Sequence, residues 1–281
     1  MTAPQSLTCA ARFAEAPRWR DDRLWFSDVH AYELKTVTLA GNVESIAKVP
    51  GRPSGLGFLP DGRLLMATAL DRKLLTVDRQ HRVVEVADLG KLASGLLNDM
   101  VVDGRGRAYV GDTGFNMGKG EAPRPGRTLL WVEGEPVRSV AEDVVFPNGC
   151  AVTPDCRSFF VAETMANRIS RFDIEDDGTL THREVFAQLD SPPDGLCLDA
   201  NGGLWVGQPL ASVFIHLNPS GQIDERIPSP APFAVTCALG GKDRKTLFLC
   251  SADTDLQRLA KGDTTARIDT VEVAVAGAGW P

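Results

Sequence analysis

The sequence lacks long apolar runs, a basic stretch, paired cysteines and helical periodicity, and each absence excludes something. No uninterrupted apolar segment approaches the roughly 18 residues that a membrane-spanning helix needs, and the N-terminus shows no basic segment followed by an apolar one. Neither a membrane partner nor a secretory leader is expected, and the chain reads as soluble and cytoplasmic. Its 30 Lys and Arg are scattered among 37 Asp and Glu, for a net charge of -7, so nothing offers the clustered cations that a nucleic acid requires. The six cysteines, Cys9, Cys150, Cys156, Cys197, Cys237 and Cys250, include no C-x-x-C pair and no histidine at zinc-ligand spacing. They read as reduced thiols buried as small hydrophobes, with a nucleophilic cysteine as the alternative. Amphipathic helical spacing is nearly absent; its one mild candidate, residues 88–97, reads better as a loop.

The chain does contain a repeat. Residues 15–28, 54–68, 98–112, 148–163, 194–208 and 236–250 share one pattern: a polar residue, a short apolar run, a turn, and a second apolar or alternating run. Their starts lie 39, 44, 50, 46 and 42 residues apart. Turns such as Asp61-Gly62 and Asn201-Gly202 make each unit a hairpin. A weaker second hairpin follows in most units, as in residues 73–78 with 83–86 and residues 168–173 with 184–187. Four strands per unit, six times over, predicts an all-β fold: one six-bladed β-propeller domain over residues 1–281, with four-stranded blades around a central channel. Ring closure requires the two chain ends to complete a common blade. Residues 7–13 and 265–275 are β-rich and are expected in the same sheet or adjacent layers of it, whereas the tail 277–281 has no evident role.

In a propeller the first strand of each blade lines the channel, so the heads of the six repeats converge on the axis. They are Glu15, Ser54, Asn98, Asn148, Asp194 and Thr236, and all carry side-chain oxygen. A ring of oxygens with two carboxylates and no thiol or imidazole suits a hard divalent cation, with calcium first and magnesium, manganese or zinc as alternatives. The metal ligands are expected to be Glu15, Asn98, Asn148 and Asp194. The competing interpretation is that these polar groups merely cap strand ends, since Asn148-Gly149 and Asp194-Gly195 are also common turn pairs. A hairpin returns to the face it left, which puts Asp28, Asp112, Glu163 and Gln208 on the pocket rim. Of these, Asp112, Glu163 and Gln208, with Arg18, His30 and Phe115, are the expected substrate contacts. His30 is also a candidate proton shuttle; His81, His182 and His216 fall in turn or outer-strand contexts.

Glu15-Ala16-Pro17-Arg18-Trp19, Asn98-Asp99, Phe146-Pro147-Asn148-Gly149, Pro193-Asp194-Gly195 and the run 167–173 together resemble the SMP-30/gluconolactonase/luciferin-regenerating-enzyme-like family across nearly the whole chain. The resemblance implies a catalytic divalent cation on Glu15, Asn148 and Asp194, with Asn98 as fourth ligand or substrate contact. It also implies hydrolysis of a lactone or related ester. Asp194 is the expected general base, with Asp99 the alternative and Asn98 beside them in the catalytic group, although metal coordination weakens a carboxylate as a base. Another ester, a phosphotriester, an isomerisation or hydration, or a non-enzymatic calcium-binding scaffold are the competing functions.

One departure bears on the substrate. Sugar-lactone hydrolases of this group usually carry an Arg two residues before the Asn-Asp pair, where it contacts substrate hydroxyls; here that residue is Leu96. Arg18 or Arg52 could replace it from another blade. Phe115, Met117, Phe146, Met165 and Phe233 could form an apolar wall instead, with the Gly- and Pro-rich insert 115–126 overhanging as a lid. A small-molecule substrate less polar than a sugar lactone is expected, and the protein is expected to be a monomer or small homo-oligomer.

Overall fold

The computed structural model of the chain describes residues 3–279. Twenty-four strands form six four-stranded antiparallel sheets. The innermost strands are Ala14–Arg20, Pro53–Phe58, Leu97–Val102, Pro147–Val152, Leu196–Leu198 and Phe233–Gly240. Each touches the next, and the last touches the first, so the sheets stand as blades around one axis: a six-bladed β-propeller, as the repeat predicts.

Closure follows the expected route. The N-terminal strand Gln5–Ala11 pairs antiparallel with Thr265–Glu272 and becomes the outermost strand of blade six. The two ends of the described chain are thereby hydrogen-bonded into one blade, which closes the ring. Of the C-terminal tail, Gly277–Gly279 is described and Trp280 and Pro281 lie outside the described residues. Gly277 bridges to Asp199, and its N–H donates to Arg244 O at 2.7 Å. Residues 89–96 form no helix, while Leu256–Ala260, which the sequence reading did not mark, is a five-residue α-helix capped by Asp255.

The core is partitioned between blades. Leu65, Val102 and Leu129 pack between blades two and three, and Tyr109, Val152 and Phe159 between blades three and four. Phe26 and Phe248 pack between blades six and one. Each sheet is therefore buried on both faces, which is why its strands read as nearly continuous apolar runs.

The inner strands approach closely at the ring. Gly149 donates to Asp194 O at 3.1 Å, linking blades four and five, and Asn98 Nδ2 donates to Pro147 O at 3.0 Å, linking blades three and four. Ser27 Oγ donates to Ser54 O at 2.7 Å between blades one and two. A Cβ placed on Gly149 would lie 2.5 Å from the Leu196 backbone nitrogen and 2.7 Å from Asp194 O. Gly149 is thus a point of backbone contact within a strand and not the turn residue that its Asn-Gly sequence suggested. We expect Gly149→Ala to cost about 2–3 kcal/mol through forced separation of two inner strands, measurable by urea unfolding. An unchanged midpoint would contradict this packing.

Candidate active site

The heads of the repeats share a second backbone feature. Pairing of the first two strands breaks register between Glu15 and Arg18, Pro53 and Leu56, Leu97 and Met100, Pro147 and Cys150, and Ala234 and Thr236. These bulges begin at Glu15, enclose Ser54, Asn98 and Asn148, and end at Thr236. In blade five the strand starts only at Leu196; Asp194 and Gly195 stand before it, with Asp194 N–H donating to Gly207 O at 2.8 Å. A β-bulge redirects a side chain out of the sheet's alternation. Five bulges and one delayed strand at the same repeat phase therefore turn the polar heads toward the axis. Sequence reasoning missed the bulges, although Gly55 and Gly149, each directly after a head, were their signal.

The electrostatics of the ring are dominated by burial. Asp194, Asn148 and Asp99 are 7%, 8% and 6% exposed. Burial first, then the charges of Asp194 and Asp99, drives the Glu15 carboxyl well above the usual range. Burial also pushes Asp194 up to about 7, opposed by the Asn148 amide and reinforced by Asp99. The mutual influence of the three acids shows that the fold brings Glu15, Asp99 and Asp194 together. Asp99 has a protein counterion: Arg18 Nη2 reaches across the axis to its Oδ1 at 3.2 Å and to Met100 O at 2.6 Å. Asp99 also accepts from Met100 N–H at 2.8 Å. Neither Glu15 nor Asp194 forms an ion pair among the described residues.

This donor set fits a hard cation. Two carboxylates, half-buried Glu15 and buried Asp194, that repel each other and lack a protein counterion gain most from a divalent ion. The Asn98 amide commits its NH2 to Pro147 O, and Asn148 donates Nδ2 to Thr164 Oγ1 at 3.2 Å, so each presents its carbonyl oxygen as the uncommitted pole. Among the described residues no three His, Cys, Asp or Glu side chains form a metal-holding group by themselves. The amide oxygens would therefore have to complete the shell, which suits oxygen-loving calcium better than zinc.

Several expected substrate contacts require correction. Asp112, Glu163 and Gln208 have no exposed surface, and Asp28 has none either. Asp112 accepts Ser94 N–H at 2.8 Å and Gly95 N–H at 2.7 Å, and Glu163 accepts Val145 N–H at 2.7 Å and pairs with Arg168 and Arg183. Gln208 donates to Ser191 O at 3.0 Å. Each pins the segment that enters its own blade's inner strand, so none is free for a substrate. Arg18, 7% exposed and held by Asp99, Met100 O and Pro17 O, is a strut below the ring and not a substrate reader. Phe115 is 2% exposed and packs on Phe146 with ring centroids 5.7 Å apart. His30 stays at the mouth, edge-on to Phe13; burial and the nearby Arg52 and Arg12 lower its pKa and keep it neutral.

Three buried thiols are held away from the nucleophilic form. All six cysteines are free, and burial pushes Cys150, Cys237 and Cys250 upward, away from thiolate. The expected burial holds for four; Cys9 is exposed and Cys197 half-buried. A cavity of about 100 Å³ lies along the inner strands below the polar heads, between Arg18, Cys150 and Leu196 at one side and Trp19, Leu239 and Gly277 at the other. It has room for a few waters, and Arg18, the partner of Asp99, forms part of its wall.

A family model described as "SMP-30/Gluconolactonase/LRE-like region" matches residues 13–253. The chain is 25% identical to a 6-deoxy-6-sulfogluconolactonase of Pseudomonas putida, over 99% of this chain and 98% of that one. It is 26% identical to pentonolactonase XacC of Haloferax volcanii, over 99% and 96%. Among solved structures, a calcium-binding protein, regucalcin, of Agrobacterium tumefaciens superposes with a TM-score of 0.84 at 22% identity, covering 99% of this chain and 96% of that one.

Raised carboxyl pKa values carry a pH signature. Unfolded carboxyls titrate near ~4. The native apo-protein therefore holds protons that the unfolded chain has released, and the stability conferred by the neutral forms is lost as pH rises through about 7 for Asp194. We expect the melting temperature of chelator-treated protein to fall between pH 5 and pH 8, and calcium to raise it more at pH 8. Equal calcium stabilisation at both pH values would contradict the cation fit.

Proposed function

The chain belongs to the SMP-30/Gluconolactonase/LRE-like family, and on that premise we propose that it is a divalent-cation-dependent hydrolase of a small lactone. The observation that carries the proposal is the pair of carboxylates without a protein counterion, half-buried Glu15 and buried Asp194, at the head of the channel. Two relatives that match nearly the full chain are named lactonases, which supports the reaction type.

Glu15, Asn148 and Asp194 would hold the cation, with Asn98 as a further oxygen donor or a contact to substrate. When bound, a divalent cation supplies a Lewis acid that polarises a carbonyl and acidifies a water. Asp194 accepts the proton from the attacking water. Asp99 is the poorer acceptor, because Arg18 and the Met100 N–H already occupy its Oδ1. Its role is to fix Arg18 under the ring and to add negative potential at Glu15. The buried axis excludes bulk water from these groups and strengthens their interaction with a developing charge.

The mouth favours a lactone less polar than a sugar lactone. Leu96 stands half-buried where a guanidinium fork would bind hydroxyls. Around it, each blade exposes one large apolar residue between its second and third strands: Tyr32, Leu70, Met117, Met165, Leu210 and Leu256, from 41% to 59% exposed. This ring of side chains, one per blade on the face of the polar heads, offers apolar contact to a substrate body.

We expect hydrolysis of alkyl γ- or δ-lactones with kcat/KM at least ~10-fold above that of aldonolactones, abolished by EDTA and restored by added divalent cation. Asp194→Asn should lower kcat by about 100-fold or more with the fold intact by circular dichroism. Turnover that survives exhaustive chelation would exclude the cation-dependent reading.

A further inference from the structure

The residue two positions before each head occupies the same place at the entry to its inner strand: Phe13, Arg52, Leu96, Phe146, Pro192 and Ala234. Blade three carries Leu96 at this position, whereas blade two carries a cation, Arg52. Arg52 stands directly before Pro53, the first residue of the inner strand between those bearing Glu15 and Asn98. Its backbone is in the left-handed region, φ 67°, as is that of Phe146 (φ 55°) at the same place in blade four. A non-glycine residue in that region adopts it at a cost, which the local fold offsets by anchoring: Ala69 N–H donates to Arg52 O at 2.9 Å and Leu70 N–H to Gly51 O at 2.9 Å.

The guanidinium that this backbone holds has no partner. Its Nε is buried without a hydrogen bond, and among the described residues no carboxylate or carbonyl pairs with the side chain. Other arginines on this face are committed: Arg12 to His30 O and Gly262 O, Arg124 to Ser94 O, and Arg168 and Arg183 to Glu163. Arg52 is half-buried beside His30 and Tyr32, and its pKa is lowered by burial. A partly desolvated, permanently charged fork next to a neutral imidazole lacks one thing, an anion.

We propose that Arg52, with His30 alongside, forms a subsite for an anionic substituent of the substrate, so that this protein acts on a lactone bearing a carboxylate or similar oxyanion away from the scissile ester. The inference rests on the lactone-hydrolase reading and deepens it. Hydroxyl recognition next to the axis is absent at Leu96, and charge recognition enters one blade away. An apolar collar around a single fixed cation suits a substrate with an apolar body and one negative end.

The test uses an isosteric pair: a γ-butyrolactone carrying a carboxylate, and the same lactone with that carboxylate as a primary amide. The cation-loaded wild type is expected to show kcat/KM at least ~10-fold higher for the acid, through KM. Arg52→Gln should bring the ratio close to one, the acid losing more kcat/KM than the amide, and Arg52→Lys should restore part of the preference. A wild-type ratio near one, or a ratio that Arg52→Gln does not change, overturns the subsite while leaving the hydrolase reading in place. If neither lactone is hydrolysed, the hydrolase reading fails and the subsite is still decided by calorimetry with the ring-opened hydroxy-diacid. Loss of about 10-fold in affinity in Arg52→Gln supports it, and equal affinity overturns it.

Discussion

Like charge held at the head of the channel is the constraint on which this structure depends. Glu15 and Asp194 come from blades one and five, and the closed ring prevents them from moving apart. Apposition of the inner strands, tight enough to require glycine at position 149, holds the heads at one level. Register breaks at that level turn them inward and leave the rest of each strand paired. The protein could have neutralised the site with an arginine, as it does at Asp99, yet Arg18 lies three residues further along the strand and satisfies Asp99 alone. The acids above it are left for a ligand to compensate.

The architecture was legible in the sequence because a hairpin repeat of this period leaves little choice of fold, and because both chain ends read as strands that need a partner. The heads were legible for the same reason: one repeat phase carried oxygen six times. The ends of the second strands were misread because facing a pocket and reaching it differ. The segment entering each inner strand passes over that end with unpaired N–H groups, and Asp28, Asp112 and Glu163 lie beneath it as acceptors. A repeat pattern contains no such information, since an acid in that place looks the same whether it binds a loop or a ligand. Arg18 was opaque for a related reason. Its partner Asp99 is 81 residues away, and only the ring geometry brings them together.

Substrate chemistry and catalytic chemistry are separable in this fold. The polar heads belong to the inner strands and are fixed by inter-blade contact. The residues two positions earlier, and the connections between second and third strands, belong to loops whose changes leave the ring intact. Leu96, Arg52 and the exposed collar from Tyr32 to Leu256 all lie in this second group. A propeller can therefore keep one reaction and alter what it recognises by exchanging single residues between blades.

The central claim, that Glu15, Asn148 and Asp194 are set at the strand heads to hold a divalent cation, is tested most directly by anomalous diffraction from crystals soaked in manganese. The account predicts a single strong peak on the axis at the level of the polar heads, with oxygens of all three side chains in its coordination shell. A peak elsewhere, or none at a manganese concentration that supports activity, would contradict it.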